Sequence, residues 1–192
     1  MTTPALHPTA HIPETGDPAP NVTVQNLDGR DVSLADLWQG AARGLALVLL
    51  RHYRCPFCRE HAREIEKHRD NFANAGIAVV LVGCGSLGEA IAFRDDLEIS
   101  HPIYNDPDRI VYQAYGVGEA TAGSQLTPAL LIGGLRAAAR GFLPRRSSGN
   151  PMQLQGQFLI DRGGIIRSVA RPALMSDIPS AFALLADAAN LP

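Results

Sequence analysis

The chain has 192 residues, near the usual size of one domain, with 46% hydrophobic and 19% charged residues. A formal net charge of -2 leaves no basic footprint for nucleic acid, and no apolar run approaches the length of a membrane span. Three cysteines are too few for a disulfide framework and agree with a reducing compartment. Met1 to Pro20 shows no basic-then-apolar signal pattern, so a soluble, cytoplasmic protein is expected.

Met1 to Pro20 is rich in Pro, Thr and His and reads as a flexible arm ahead of one domain over 21–192. Asn21 to Gln25 alternates, Asp28-Gly29 is a hairpin turn, and Arg30-Asp31-Val32 is the return strand. Ser33 caps a short helix through Trp38. Leu45 to Leu50 is a continuous apolar run of strand length. Phe57 to Phe72 then reads as one helix with an imperfect apolar stripe. Asn74-Ala75-Gly76 stops it, and Ile77 to Val82 is a second apolar run. Two such runs joined by a helix predict a βαβ unit with parallel strands. Ser86 and Glu89 fit a capping box for a helix to about Leu97.

His101 to Tyr104 reads as a short edge strand, and Asp106-Pro107-Asp108 opens a helix through Tyr115. An insertion over about 116–151 is the least legible stretch. Ala129 to Leu143 has helix-forming residues interrupted by Gly133-Gly134. Arg136, Arg140, Arg145 and Arg146 read as a solvated basic face, with an anionic partner as the less favoured role. Gln157 to Ile160, the turn Asp161-Arg162-Gly163-Gly164 and Ile165 to Val169 form the clearest hairpin. A final helix runs from about Pro179 to Ala189. The order predicts a three-layer α/β fold with a mixed central sheet.

Cys55-Pro56-Phe57-Cys58 lies between the first apolar run and the first long helix. A helix start offers free N–H groups and the positive end of the dipole, which stabilise a thiolate, the reactive form of cysteine. Arg51, His52, Arg54 and Arg59 flank the pair, and Pro56 suits a first helical position. The spacing points to thiol redox chemistry, with the thioredoxin-like strand-to-helix context. Half of a zinc site is the competing reading, but the chain lacks a second ligand pair at such spacing. His61 and His68 stand seven apart, and Cys84 stands alone between Gly83 and Gly85. Cys84 ends the second apolar run, at the sheet edge where sites gather. It either lies near the pair or is a small buried packing residue, the favoured role. His52 and His61 either tune a thiolate or are surface histidines.

With Arg51 to Glu60, Ile77 to Gly83 and Leu154 to Gly164 in view, the chain resembles the peroxiredoxin-like branch of the alkyl hydroperoxide reductase and thiol-specific antioxidant superfamily. The resemblance spans roughly Asn21 to Ala189. It implies a thioredoxin-like fold and antioxidant thiol–disulfide or peroxide chemistry at Cys55 and Cys58, with no cofactor or metal. The implied partners are a protein or low-molecular-weight thiol or disulfide, or alternatively a small hydroperoxide; a homodimer is an open assembly. The family's Pro-x-x-x-Thr/Ser-x-x-Cys pattern meets Val48 and His52 when laid on Cys55, and Arg51 and Cys55 when laid on Cys58. Gln155 stands where the family places a late Arg, and Gly156 and Gln157 stand where thioredoxins place a cis-proline. Thr127-Pro128 and Asn150-Pro151 are candidates for that proline, but neither is adjacent to that strand. Disulfide exchange is therefore expected to outrun peroxide turnover, unless Arg51, Arg54 or Arg171 supplies the missing cation. In this reading an exposed Cys55 attacks and a partly buried Cys58 resolves; laying the family pattern on Cys58 argues the reverse. A non-catalytic binding module and a metal-binding domain are the readings from other classes.

Overall fold

The computed structural model describes residues 11–121, 128–142 and 147–191. Seven strands form one mixed sheet: β1 (Thr23–Gln25), β2 (Asp31–Ser33), β3 (Gly44–Leu49), β4 (Ile77–Gly83), β5 (Ile103–Asn105), β6 (Gly156–Asp161) and β7 (Ile166–Ala170). Their order is β2-β1-β5-β4-β3-β6-β7. β3, β4 and β5 run parallel, while β6 lies antiparallel to β3 and to β7. The expected edge strand at 101–104 is instead interior: β1 pairs with it at Gln25 and Asn105. Nothing local to His101–Tyr104 signals that the N-terminal hairpin returns to cover that edge.

The helices are α1 (Leu34–Gly40), α2 (Pro56–Lys67), α3 (Arg69–Asn74), α4 (Leu87–Leu97), α5 (Ile110–Ala114), α6 (Pro128–Ala139) and α7 (Ala181–Ala189). Successive residues of a strand point to opposite faces, and here both faces are covered, which is why β3 and β4 are apolar throughout. Ala46, Val48, Leu81 and Leu159 share one core with buried residues of α2, α4 and α7. Leu45, Leu47, Val82 and Phe158 share the other with Leu34 and Trp38 of α1 and Tyr112 of α5. The three layers are those the element order predicted. Among the described residues, no helix is long and apolar enough to cross a membrane.

Three local expectations change. The single helix over 57–72 is broken at His68, whose N–H turns to the carbonyl of Ile65, three residues back, so the last turn of α2 tightens before α3 begins. The expected loose arm is anchored over 11–20. Gly16 N–H donates to Ile166 O at 2.8 Å, Ile166 N–H to Asp17 O at 3.0 Å, and Ala19 N–H to Gly164 O at 2.8 Å. The arm lacks apolar periodicity because main-chain pairing, not a buried face, holds it; residues 1–10 lie outside the described residues.

Gly133 and Gly134 sit inside α6 rather than breaking it. A Cβ at Gly133 would stand 3.1 Å from the Phe57 ring, so the glycine lets α6 pack closely on α2. Arg136 and Arg140 pair with Glu60 of α2 and are not merely a solvated face. Arg145 and Arg146 lie outside the described residues.

Candidate redox site

β3 delivers the chain to the site, and α2 begins there. Leu50 N–H extends the ladder to Val82 O at 2.7 Å; the chain then turns, with Cys55 N–H on His52 O at 3.1 Å. Cys55 is the N-cap of α2, extended at φ -67 and ψ 124, and Pro56 fills the first turn. No side chain caps this end, so the helix's free N–H groups face the sulfur. The N–H groups of Phe57 and Cys58 act on Cys55.

Arg51 touches all three cysteines. Its guanidinium Nη1 lies 3.3 Å from Cys55 Sγ, its main-chain N–H donates to Cys58 Sγ at 3.1 Å, and its carbonyl accepts from Cys84 Sγ at 2.8 Å. The guanidinium is aimed by the covering segment: Nε donates to Gln153 O at 2.8 Å, and Nη2 to Pro151 O. Gln153 is itself tied by its amide to the carbonyls of Val117 and Gly118, at 3.1 and 3.0 Å. Sequence reasoning missed Gln153 and marked Pro151 only as a cis-proline candidate. The contacts are main-chain carbonyls about a hundred positions away, and carbonyls leave no trace in residue type.

The two sulfurs differ in acidity. Burial alone pushes the Cys55 thiol up. The hydrogen bond with Cys58, the Arg51 charge and the N–H groups of Cys58 and Phe57 outweigh it and bring the thiol down. Cys58 is driven well up by burial and by its neighbour Cys55, with Arg51 opposing. This asymmetry favours Cys55 as the thiolate and Cys58 as the proton-bearing partner. The expected exposure of Cys55 is corrected: Cys55 and Cys58 are both 0% exposed. The cover has two parts. α6 lies on α2, and the segment from Ser147 lies over His52 and Cys84. A Cβ at Gly149 would stand 2.5 Å from Cys84 O and 2.9 Å from His52 Cβ. Ser148 anchors that segment to the start of α4, its Oγ accepting from Ser86 N–H at 2.8 Å and lying 2.7 Å from Glu89 Oε2.

The other residues marked in the sequence are placed variously. Cys84 is buried and close to the pair through Arg51, so proximity and packing both hold; burial raises its thiol. His52 and His61 are buried, not surface histidines. Burial, with the Arg51 charge, lowers His52 to about 4. Burial lowers His61 to about 4, while the Gln157 side chain pulls the other way. Arg54 turns to Glu89, at 3.7 Å. Arg59 pairs with Asp96 at 3.1 Å. Arg171 sits on the other face of the sheet, over the Phe158 ring and paired with Glu14 at 2.9 Å. Gln155 is buried immediately before β6, its amide donating to Asp177 O. Tyr53, unmarked in sequence reasoning, places its hydroxyl 2.8 Å from Tyr104 O, and its ring fills the space a side chain at Gly83 would need.

Among the described residues, no three of His, Cys, Asp and Glu gather as a metal-holding group. At the pair itself, Cys55 stands at the start of α2 with the Arg51 guanidinium beside its sulfur, and Cys58 follows three positions further along the chain.

The family model described as AhpC/TSA matches residues 15–169. A chloroplastic thioredoxin-like protein, AAED1, of Arabidopsis thaliana is 31% identical over 100 residues, which is 52% of this chain and 40% of that protein. Peroxiredoxin-like 2C of Homo sapiens is 27% identical over 180 residues, 87% of this chain and 79% of that protein. In structure, the peroxidoxin BcpB of Mycobacterium tuberculosis superposes with a TM-score of 0.68 at 16% identity, over 92% of this chain and 96% of that one. That likeness fixes the fold as thioredoxin-like and says nothing of substrate.

Proposed function

This chain belongs to the AhpC/TSA family, and on that premise we propose that it is a thiol–disulfide oxidoreductase in which Cys55 attacks and Cys58 resolves. The observation that carries the assignment is the Arg51 guanidinium 3.3 Å from Cys55 Sγ, with Cys58 held on a main-chain N–H instead. A cation stabilises an anionic sulfur more than a neutral donor does.

The Cys55 thiolate attacks one sulfur of a substrate disulfide. A mixed disulfide forms and the other substrate sulfur leaves as a thiolate. Cys58 then loses its proton to that leaving group or to solvent and attacks Cys55 Sγ. The Cys55–Cys58 bond forms as the second substrate thiolate departs. Two electrons pass to the substrate, and an external thiol, protein or low-molecular-weight, reduces the pair again. A cytoplasmic setting and a homodimer belong to the same proposal. The first is supported by the low cysteine count, which agrees with a reducing compartment, and sedimentation tests the second.

The test is a comparison of two variants. Cys55→Ser should abolish turnover. Cys58→Ser should trap a mixed disulfide with substrate, because the intramolecular release step is gone. If neither variant loses activity or traps adducts, the pair is not catalytic, and the binding-module reading takes its place.

A second reading, reduction of hydroperoxides, is favoured by one specific feature. Both sulfurs are closed beneath α6 and the 147–153 segment, a cover that a two-oxygen oxidant passes more readily than a protein disulfide. Arg51 also supplies, from another direction, the cation missing at Gln155. Stopped-flow oxidation of the reduced protein by hydrogen peroxide separates the readings. Oxidation far faster than a free thiol of equal acidity supports peroxidase activity, and a rate no faster removes it.

A further inference from the structure

The turn from β4 into α4 carries a carboxylate that no step of the disulfide exchange uses. Glu89 lies in the first turn of α4 and completes the capping box with Ser86. A capping box needs one acceptor, and Oε2 supplies it to the Ser86 N–H at 3.3 Å. The remaining bonds leave the helix for the covering segment. Ser148 N–H donates to Oε1 at 3.1 Å, Ser148 Oγ to Oε2 at 2.7 Å and Ser147 Oγ to Oε2 at 3.3 Å. The Gly83-Cys84-Gly85 stretch makes room for them: a Cβ at Gly85 would stand 2.6 Å from Glu89 Oε2, and its φ of +147 disfavours any side chain. A cation is at hand but does not take the carboxylate. Arg54 Nε lies 3.7 Å from Oε1, is buried and makes no hydrogen bond. Burial pushes the Glu89 carboxyl up, and the bonds from Ser148, Ser86 and Ser147 outweigh it and bring it down. Glu89 is thus an anion at neutral pH, and its bonds to the cover are charge-assisted.

The chain of bonds continues past Ser148. Gly149 N–H donates to Ser147 Oγ at 3.1 Å, Met152 N–H to Asn150 Oδ1 at 2.9 Å and Gln153 N–H to Asn150 O at 3.2 Å. The 147–153 segment is therefore a braced turn. Within it stand both carbonyls that hold the Arg51 guanidinium, Pro151 O and Gln153 O. They are held differently. Gln153 has anchors of its own, its amide on the carbonyls of Val117 and Gly118, and Met152 O beside it takes the Ala120 N–H at 2.7 Å. A proline has no N–H to donate, so Pro151 is placed by the turn on either side of it. The upstream side is the one pinned to Glu89.

We propose that Glu89 is a positioning residue for the redox site: by holding Ser147 and Ser148 it fixes the turn that carries Pro151 O, and so keeps the Arg51 guanidinium on Cys55 Sγ. The inference rests on the reading of Cys55 as the attacking thiolate. Its sign is opposite to that of a direct charge effect. A carboxylate acting straight on Cys55 would disfavour the thiolate, so its removal would lower the thiol. Removal of a positioning carboxylate frees Arg51 and raises the thiol.

The experiment uses the full reduced chain and follows thiolate ultraviolet absorbance against pH, with Cys55→Ser as the blank. The variants are Glu89→Met, Glu89→Gln, Ser147→Ala paired with Ser148→Ala, and Glu89→Met combined with Arg51→Met; thermal midpoints are recorded alongside. Glu89→Met should raise the Cys55 midpoint by about 0.5 in pH, roughly a threefold loss of thiolate below it. That is less than Arg51→Met gives, because Gln153 O stays in place. Glu89→Gln keeps an acceptor and the capping box and should fall between wild type and Glu89→Met. The paired serine variant leaves the Glu89 charge and the α4 cap in place, and should raise the midpoint even where Glu89→Met fails to fold. In the Arg51→Met background Glu89→Met should add no further rise, since two residues acting through one contact are not additive. A midpoint that falls in Glu89→Met, stays at the wild-type value in the paired serine variant, or rises equally with and without Arg51 would overturn the proposal. A protein that neither turns over disulfides nor traps adducts fails the oxidoreductase reading; normal turnover with unmoved midpoints fails the positioning role alone.

Discussion

Arg51 and Cys55 are joined by a guanidinium–sulfur contact of 3.3 Å, and the carbonyls of Pro151 and Gln153 hold the guanidinium in place. The cation beside Cys55 Sγ is thus aimed by the same segment that covers it. Removing it should raise the pKa of Cys55 toward that of a free cysteine, about 8.5. In Arg51→Met, turnover at pH 6 to 7 should fall by roughly tenfold or more, and should recover as the pH is raised. Alkylation rate against pH measures the midpoint. A midpoint unchanged from wild type would show that the helix terminus alone sets it.

Labelling order follows from the same asymmetry. Brief alkylation of the folded, reduced protein near neutral pH should modify Cys55 first. Cys58 and Cys84 should react only after unfolding, since burial raises both thiols. Peptide mapping reads the order directly. Preferential modification of Cys58 would reverse the assignment of roles.

The cover should respond to two independent changes. Glu60→Gln removes the partner of Arg136 and Arg140 and loosens α6 on α2. Gly149→Ala puts a methyl against main-chain Cys84 O and forces the covering segment outward. Each should speed alkylation of Cys55 severalfold, more for a bulky maleimide than for iodoacetamide. Equal acceleration of both reagents would indicate general unfolding rather than opening.

Acid stability should carry the signature of two buried, neutral histidines. The folded-state values of His52 and His61, lowered to about 4, lie below the ordinary value of 6.5. Between those limits the unfolded chain binds more protons, so stability rises with pH through that window and is lost as the pH falls from 6.5 toward 4. For His61 the loss is at most about 3 kcal/mol. His61→Gln should flatten the dependence of the thermal midpoint on pH between about 7 and 4. An equally steep profile in that variant would place the acid sensitivity elsewhere.

Much of the fold was legible in the residues because it is local. The apolar runs of β3 and β4, the Ser86–Glu89 box and the Asp161–Gly164 turn each carry their own signal. The capping box is present in full. Cys55 at a helix start was legible for the same reason. What escaped is long-range. The return of β1 to β5, the closure of α6 on Phe57 and the grip of Gln153 O on Arg51 join segments far apart in the chain through main-chain atoms or a missing side chain. The burial of Cys55 follows from those contacts, which is why an exposed sulfur was expected. Gln155 was marked as a substitution for an arginine, but its bond to Asp177 O depends on where a distant segment lies.

The grip of Pro151 and Gln153 on Arg51 also has a consequence during synthesis. The two sides of the site are 102 positions apart, from Arg51 to Gln153. At about 5 to 20 residues per second, the ribosome takes about 5 to 20 s to add that stretch. For most of that interval Cys55 and Cys58 have been made, yet Arg51 has no carbonyls to aim it and the cover does not exist. The nascent pair is then open to solvent and lacks the aimed Arg51 charge, which reaches Cys55 only once the chain can enclose it. Ribosome-bound chains ending before residue 147 should alkylate with the pH midpoint of an ordinary thiol, whereas released full-length chains should not. A lowered midpoint in the truncated chains would mean that activation precedes closure.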